Sequence, residues 1–479
     1  MRKRLRRLLL AVVAIQVAGG VNHASAQRAA QWPQGMRSLI THDAPVIAIT
    51  NVKVIDGTGA AAREGQTVVI DNGRIIAVGP AASTRPPSGA QVIDGGGHTL
   101  IPGIVGLHDH LYYTAAGGRS AQLTFSAPRL YLGSGVTTVR TTGSRAPYAE
   151  INLKAEVERN RVPGPRIHIT APYITGGSGN STMTLLESPE QARRFVAYWA
   201  QEGATWLKAY ANIRSAELKA AIDEAHKHGI KVTGHLCSVS FIEAVALGID
   251  GLEHGLYANS DYVRDKQPDV CPTSMVAAGA ALNTSDPEIQ RTFRTLIAKG
   301  VPITSTLAVY ELFVPNRPTK DQRTLDAMAP EVREDYLRAR AQIDAQTSPV
   351  GLERFRAAMA YETAFVDAGG LLGAGVDPTG NGGALPGYGD QRNFELLREA
   401  SFTPEQVVQI MTLNGARILG VDRDLGSVER GKAADLLLIR GDLSGDPSVI
   451  RQLVTVFKDG IGYDSARMLE SVRGRVGID

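Results

Sequence analysis

Between about residues 47 and 94 the apolar positions fall in short runs broken by turn-forming residues. Ala48–Ile55, Thr67–Ile70, Arg74–Val78 and Gln91–Asp94 are separated by Asp56-Gly57, Asp71-Asn72-Gly73 and similar stretches, and Gly95-Gly96-Gly97 closes the series. Asn-Gly and Asp-Gly accept the positive φ that tight hairpins require, so this region predicts short antiparallel strands. The same texture returns in Ala434–Ile439 and Gln452–Phe457. Between these ends, short buried strands alternate with amphipathic helices, the pattern of parallel βα units. Eight strands are placed at 104–110, 136–142, 166–173, 205–210, 230–236, 251–254, 301–306 and 371–377. Helix starts stand between them: Ser188-Pro189-Glu190-Gln191 and Thr403-Pro404-Glu405-Gln406 each offer a hydroxyl cap, a proline in the first turn and glutamine at the third position.

Eight strands with intervening helices predict an α/β fold, a (β/α)8 TIM barrel, with a small β-sandwich assembled from both chain ends. The expected boundaries are a leader over 1–26, sandwich over 27–100, barrel over 101–420 and sandwich again over 421–479. A doubly wound open sheet is the competing topology, but no G-x-G-x-x-G follows the first strand.

Composition changes the picture mainly at the N-terminus. Arg2, Lys3, Arg4, Arg6 and Arg7 precede an apolar run from Leu8 to Ala18, and Ala24-Ser25-Ala26 supplies a small-residue cleavage site. These three parts predict a secretory signal peptide and an exported, periplasmic or secreted protein. The run is shorter than the ~20 residues of a bilayer span, so no membrane partner is expected after cleavage. The whole chain carries 51 basic and 48 acidic residues, and the leader takes five of the basic ones. The positive excess therefore belongs to the leader, and nucleic-acid binding is excluded as a reading. Cys237 and Cys271 are free to pair in an oxidising compartment or to remain thiols; two cysteines in 479 residues are no disulfide framework.

Candidate chemistry lies at the strand ends. His108-Asp109-His110 closes the first strand, where side chains i and i+2 share a face about 6.6–7 Å apart and can converge on one ion. His226-Lys227-His228 has the same spacing near the end of a predicted helix. There the two rings point about 200° apart, so that pair is expected to serve the helix C-terminus. Lys208 ends the fourth strand, His235 the fifth, His254 the sixth and Asp377 the eighth. In such barrels the C-terminal strand ends open on one cleft. Each residue singly also admits a structural role. Lys208 is the informative one, since an ammonium has no lone pair to offer a metal. A deprotonated Lys208 that takes up carbon dioxide becomes a carbamate, whose anionic oxygens bridge two metals.

With these elements the chain resembles the amidohydrolase superfamily over nearly all of its mature length. The matching motifs are Leu100-Ile-Pro-Gly-Ile-Val-Gly-Leu-His-Asp-His110, Trp206-Leu-Lys208-Ala-Tyr210, Thr233-Gly-His235, Leu252-Glu-His254-Gly255, Gly375-Val-Asp377 and Thr412-Leu-Asn-Gly-Ala-Arg-Ile-Leu-Gly420. It looks like the binuclear group with a carboxylated lysine, near prolidase-like and imidazolonepropionase-like members. The resemblance implies His108, His110 and Asp377 on one metal, His235 and His254 on the other, and Lys208 carbamate bridging. It implies two divalent ions, with zinc the default for imidazole and carboxylate ligands and manganese or cobalt as alternatives. It also implies a metal-bridging hydroxide that attacks a carbonyl while Asp377 passes a proton to the leaving amine. The expected partner is a small amide: an N-acyl amino acid, a dipeptide or a relative of these. Deaminase or cyclic-imide chemistry and lactone or phosphotriester hydrolysis are the alternatives, followed by a non-catalytic scaffold. Self-association into a homo-oligomer is left open.

Substrate-facing candidates follow from position. Tyr210 shares a strand face with Lys208, and Tyr173 opens a glycine-rich loop that carries Ser178 and Asn180. Tyr112, Tyr113 and Tyr257 also follow strand ends. Some peptidase-like relatives carry a histidine in the loop after strand three, where this chain has Ser178 and Asn180. Mononuclear deaminase relatives often carry His-x-Gly-Glu after strand five, where this chain reads His235-Leu-Cys-Ser-Val239.

Overall fold

A computed structural model describes residues 32–177, 182–317 and 321–478. The predicted leader, Ser178 and Asn180 lie outside the described residues.

The eight predicted parallel strands are all present, most of them shorter than their apolar runs. They are β1 (Ile104–Gly106), β2 (Val136–Arg140), β3 (Arg166–His168), β4 (Trp206–Ala209), β5 (Lys231–Gly234), β6 (Gly251–Glu253), β7 (Ile303–Ser305) and β8 (Leu372–Ala374). Among the described residues they form two parallel arcs. One runs β3–β2–β1; the other runs from Thr184–Leu185 and Ile174–Thr175 through β4, β5, β6, β7 and β8 in order. Hydrogen bonds also run between the arcs. Leu107 N donates to Ala374 O at 2.8 Å, and Thr205 N donates to Ile169 O at 2.9 Å. A parallel bridge joins Thr170 to Trp206. Most positions of these strands are buried, as expected where helices cover a parallel sheet. This is the TIM-barrel type of α/β fold.

The helices between strands begin where their caps predict. Ser188 accepts from Gln191 N at the start of Pro189–Gln201. Thr403 and Gln406 form a reciprocal capping box on Pro404–Gln409, so two otherwise orphaned N–H groups are satisfied. The helix Ser215–Lys227 ends at the second histidine pair, as the sequence predicts. His226 Nε2 meets Asp250 Oδ2 at 2.9 Å and His228 Nε2 meets Glu224 Oε1 at 3.3 Å. Those rings turn to different carboxylates and share no site.

Both chain ends enter one nine-stranded sheet. Ile461–Asp464, Leu453–Lys458 and Leu436–Arg440 from the C-terminal part lie beside His98–Pro102, Val46–Val54, Arg63–Asp71 and Arg74–Pro80 from the N-terminal part. Ile47, Ile49, Val68, Ile70, Leu100, Leu436, Leu438 and Phe457 bury one another in a core distinct from that of the parallel strands. Cys237 and Cys271 are joined as a disulfide with Cα atoms 4.8 Å apart. Among the described residues no helix is long and apolar enough to cross a membrane.

Candidate metal centre

The six predicted ligand residues converge at the C-terminal mouth of the parallel strands. Their side chains line a cleft of about 310 Å³ together with Tyr112, Arg145, Tyr173, Tyr210, Tyr310, Phe313 and Thr379. His108 and His110 correct one expectation: β1 stops at Gly106, and the pair lies in the turn beyond it. Strand alternation therefore does not align the two rings. They stand 5.2 Å apart at nearly a right angle, 87°. Leu107 N and Asp377 N bind the turn to β8 and its following loop through Ala374 O and His108 O. Gly375 makes that approach possible, because a Cβ there would lie 2.3 Å from His108 N.

Each of the two rings is oriented by its Nδ1. His108 Nδ1–H donates to Glu253 Oε2 at 2.8 Å, and His110 Nδ1–H donates to Thr141 O at 3.0 Å. An acceptor on Nδ1 fixes the tautomer and leaves the Nε2 lone pair for the cleft. His254 Nδ1 pairs with the Thr306 hydroxyl at 2.7 Å. The His108 and His254 rings are 4.5 Å apart, as are those of His235 and His254. Asp377 closes the cluster, with Oδ1 3.2 Å from His110 Nε2 and Oδ2 3.7 Å from His108 Nε2. One ligand atom from each of His108, His254 and Asp377 falls within 4.8 Å of the others. His254 and Asp377 both hold left-handed backbone, φ 65° and 49°. That conformation is costly for residues with a Cβ and persists where surroundings enforce it.

The electrostatics suit cation ligands. Burial, then the charge of Lys208, keeps His108 neutral well below the usual imidazole range, and the same two causes bring His235 down to about 4. Burial and the neighbouring rings do the same to His254. Burial would raise Asp377, but His108 and His110 outweigh it and hold the carboxyl well below the usual range. Lys208 is fully buried on β4, and among the described residues its Nζ has no hydrogen-bond partner. Burial lowers its amine to about 8. A buried orphan nitrogen among neutral imidazoles and a carboxylate is incomplete as a protein core. The donor set thus fits divalent metal and a carboxylated lysine.

Of the tyrosines, Tyr112, Tyr173 and Tyr210 line the cleft. The Tyr112 and Tyr173 hydroxyls share a very short hydrogen bond, and Tyr173 OH lies 3.2 Å from His110 Nε2. Tyr113 is turned away and donates to Gly382 O at 2.7 Å. Tyr257 is displaced from the wall by Tyr310, on which it stacks at 3.6 Å. Sequence reasoning missed Tyr310, Arg145, Glu253 and Arg140. The last two had one visible signal: a charged residue inside an otherwise apolar strand, which is rarely buried unless paired.

The comparisons with known proteins bear on the family and the fold. Among curated relatives, an imidazolonepropionase of Salinispora arenicola is 30% identical over 164 residues, 34% of this chain and 38% of that protein. A dihydroorotase of Pelotomaculum thermopropionicum is 24% identical over 405 residues, 82% of this chain and 88% of that one. An uncharacterised protein of Mycobacterium tuberculosis is 28% identical over 196 residues, 38% of this chain. That alignment spans about half the relative's length, 51%. Of solved structures, a Xaa-Pro dipeptidase with bound methionine gives a TM-score of 0.66 at 19% identity, covering 88% of this chain and all of that one. Bottromycin amidohydrolase gives 0.68 at 18%, covering 90% and 91%. At these identities the structures speak for the fold alone. The model of the amidohydrolase family matches residues 99–461, and the chain belongs to that family.

Proposed function

We propose that this enzyme hydrolyses the amide bond of a small N-acyl amino acid, a dipeptide or a related amide. Lys208 carries the reading, because its buried Nζ has no hydrogen-bond partner among the described residues. His108, His110 and Asp377 would hold one divalent ion, His235 and His254 a second, and Lys208 would join them. Zinc suits these donors best. Bound there, the ions supply Lewis-acid polarisation of the substrate carbonyl and acidify the attacking water.

The chain's own residues do the rest. The Lys208 ammonium first loses one proton; the neutral amine then forms an Nζ–C bond to carbon dioxide and loses a second proton, so a cation becomes an anion among the imidazoles. Glu253 and Thr141 hold the His108 and His110 rings with Nε2 toward the cleft. Asp377, ionised at neutral pH, accepts a proton and delivers it to the departing amine. Thr379 Oγ1, 2.9 Å from Asp377 Oδ1, keeps that carboxylate oriented. Tyr173 and Tyr210 border the space for the acyl group.

The same reading closes the two arcs into one (β/α)8 barrel over 101–420, supported by the bonds at Leu107 and Thr205. It takes the nine-stranded sheet as a sandwich shared by 27–100 and 421–479. It also places the mature protein outside the cytoplasm, supported by the basic and apolar leader and by the Cys237–Cys271 disulfide.

The test is a hydrolysis screen of zinc-reconstituted protein, supplied with bicarbonate, against N-acyl amino acids, dipeptides, cyclic imides and lactones. Turnover of the first two classes supports the reading. Turnover confined to cyclic imides or lactones overturns it.

A further inference from the structure

Arg145 stands on the cleft wall without an anionic partner among the described residues. It follows β2 and borders the same space as His110, Lys208 and Asp377. Its guanidinium carbon lies 4.4 Å from the centre of the Tyr112 ring, and that ring stacks on His110 at 4.5 Å with 24° between planes. Its Nη1 donates to Ser120 Oγ at 2.7 Å. Ser120 belongs to the hairpin that pairs Tyr112–Thr114 with Ser120–Gln122. The hairpin and the tyrosine face thus fix the guanidinium from two directions.

Most half-buried and buried arginines of this protein meet a carboxylate: Arg140 meets Glu253, Arg166 meets Asp435 and Arg392 meets Glu311. Arg145 differs. Among the described residues its Nε has no acceptor, and its one hydrogen bond goes to a neutral hydroxyl. A guanidinium keeps its charge at any working pH and presents a planar fork of five donors, the geometry that carboxylates match. Every other charged side chain on the cleft wall belongs to the ligand cluster.

We propose that Arg145 receives the free carboxylate of the amine half of the substrate. The enzyme then selects amides that release an amino acid over neutral amides and over interior peptide bonds. This rests on the amide-hydrolase reading given above and adds the charge that the substrate must carry.

The experiment compares an N-acetyl amino acid with its carboxamide, in the wild type, Arg145→Gln and Arg145→Lys. Hydrolysis by zinc-loaded enzyme and calorimetric binding to metal-free protein are both read. The acid should be preferred by the wild type. Arg145→Gln should lose about 10- to 100-fold on the acid, in KM more than in kcat, with the carboxamide little changed. Arg145→Lys should recover part of the loss. Equal loss on both compounds, or none on the acid, overturns the proposal and leaves Arg145 as a clamp on Tyr112. Binding of neither compound to metal-free wild type overturns it too. If no amide is hydrolysed but the acid still binds through Arg145, the amide-hydrolase reading fails and the carboxylate site stands.

Discussion

His108 and Glu253 are joined by a buried 2.8 Å hydrogen bond from Nδ1–H to Oε2. The other oxygen of Glu253 accepts from Arg140 Nη2 at 2.6 Å and from the Thr233 hydroxyl. Arg140 in turn donates through Nε to Leu107 O at 2.7 Å. One carboxylate therefore fixes both the ring and the backbone of the turn that carries it. Burial alone would raise Glu253, but Arg140 and Lys208 outweigh it and keep the group ionised. Glu253→Gln should weaken metal binding by about 10- to 100-fold, read by competition with a chromophoric chelator. It should also destabilise the metal-free protein by about 3–5 kcal/mol, because Arg140 stays buried without its counter-charge. Unchanged metal affinity would leave the Glu253 bond without a role in holding His108.

Lys208→Ala should purify with much less metal than the wild type, which is expected to hold about two ions per chain. Short carboxylic acids should restore part of the activity by standing in for the lost carbamate oxygens. Metal analysis by mass spectrometry reads the first effect. Unaltered metal content would remove Lys208 from the ligand set.

Glu362 gives a pH dependence away from the metal cluster. It is buried, its Oε2 has no hydrogen-bond partner among the described residues, and burial raises its carboxyl from 4.5 to about 8. A carboxyl whose pKa is higher folded than unfolded binds its proton more tightly in the folded state. Its stabilising contribution is full below about 4.5 and is lost as pH rises toward 8. Glu362→Gln should remove that slope, at most about 1.4 kcal/mol per pH unit for one proton. Urea unfolding at a series of pH values checks it; parallel curves for variant and wild type would refute it.

The disulfide spans 34 positions between Cys237 and Cys271. Cys237→Ser with Cys271→Ser should cost about 2–4 kcal/mol through the freer unfolded chain. Protein kept unreduced should take up no thiol-specific label, and labelling without reduction would contradict the pairing.

The reach of the sequence can be seen residue by residue. The eight strands and the caps at Ser188 and Thr403 were legible because burial, alternation and capping leave local patterns. Lys208, His235, His254 and Asp377 were legible because each lies near the C-terminal end of a strand that periodicity had already placed. The exact seat of His108 and His110 was not, since an apolar run continues past the last ladder hydrogen bond of β1. Arg140 and Glu253 leave no mutual spacing: they meet across the parallel strands, 113 positions apart. Arg145 and Tyr310 stand on loop and short-helix positions, whose direction is set by tertiary packing rather than by period. The cysteine pairing depends on a Cα separation that sequence does not encode.

The sheet shared by both ends bears on how the protein is made. Thr99, one strand ahead of the histidine turn, donates to Gly441 O, 342 positions further on. Leu100 and Ile101 pair with Leu438 and Leu437. During translation, then, the strand His98–Pro102 waits for residues 436–440 to be synthesised. A ribosome that stalls earlier releases a chain with an apolar strand edge open to its neighbours. The sheet beside the histidine turn is therefore complete only when segments more than 300 positions apart have both been made.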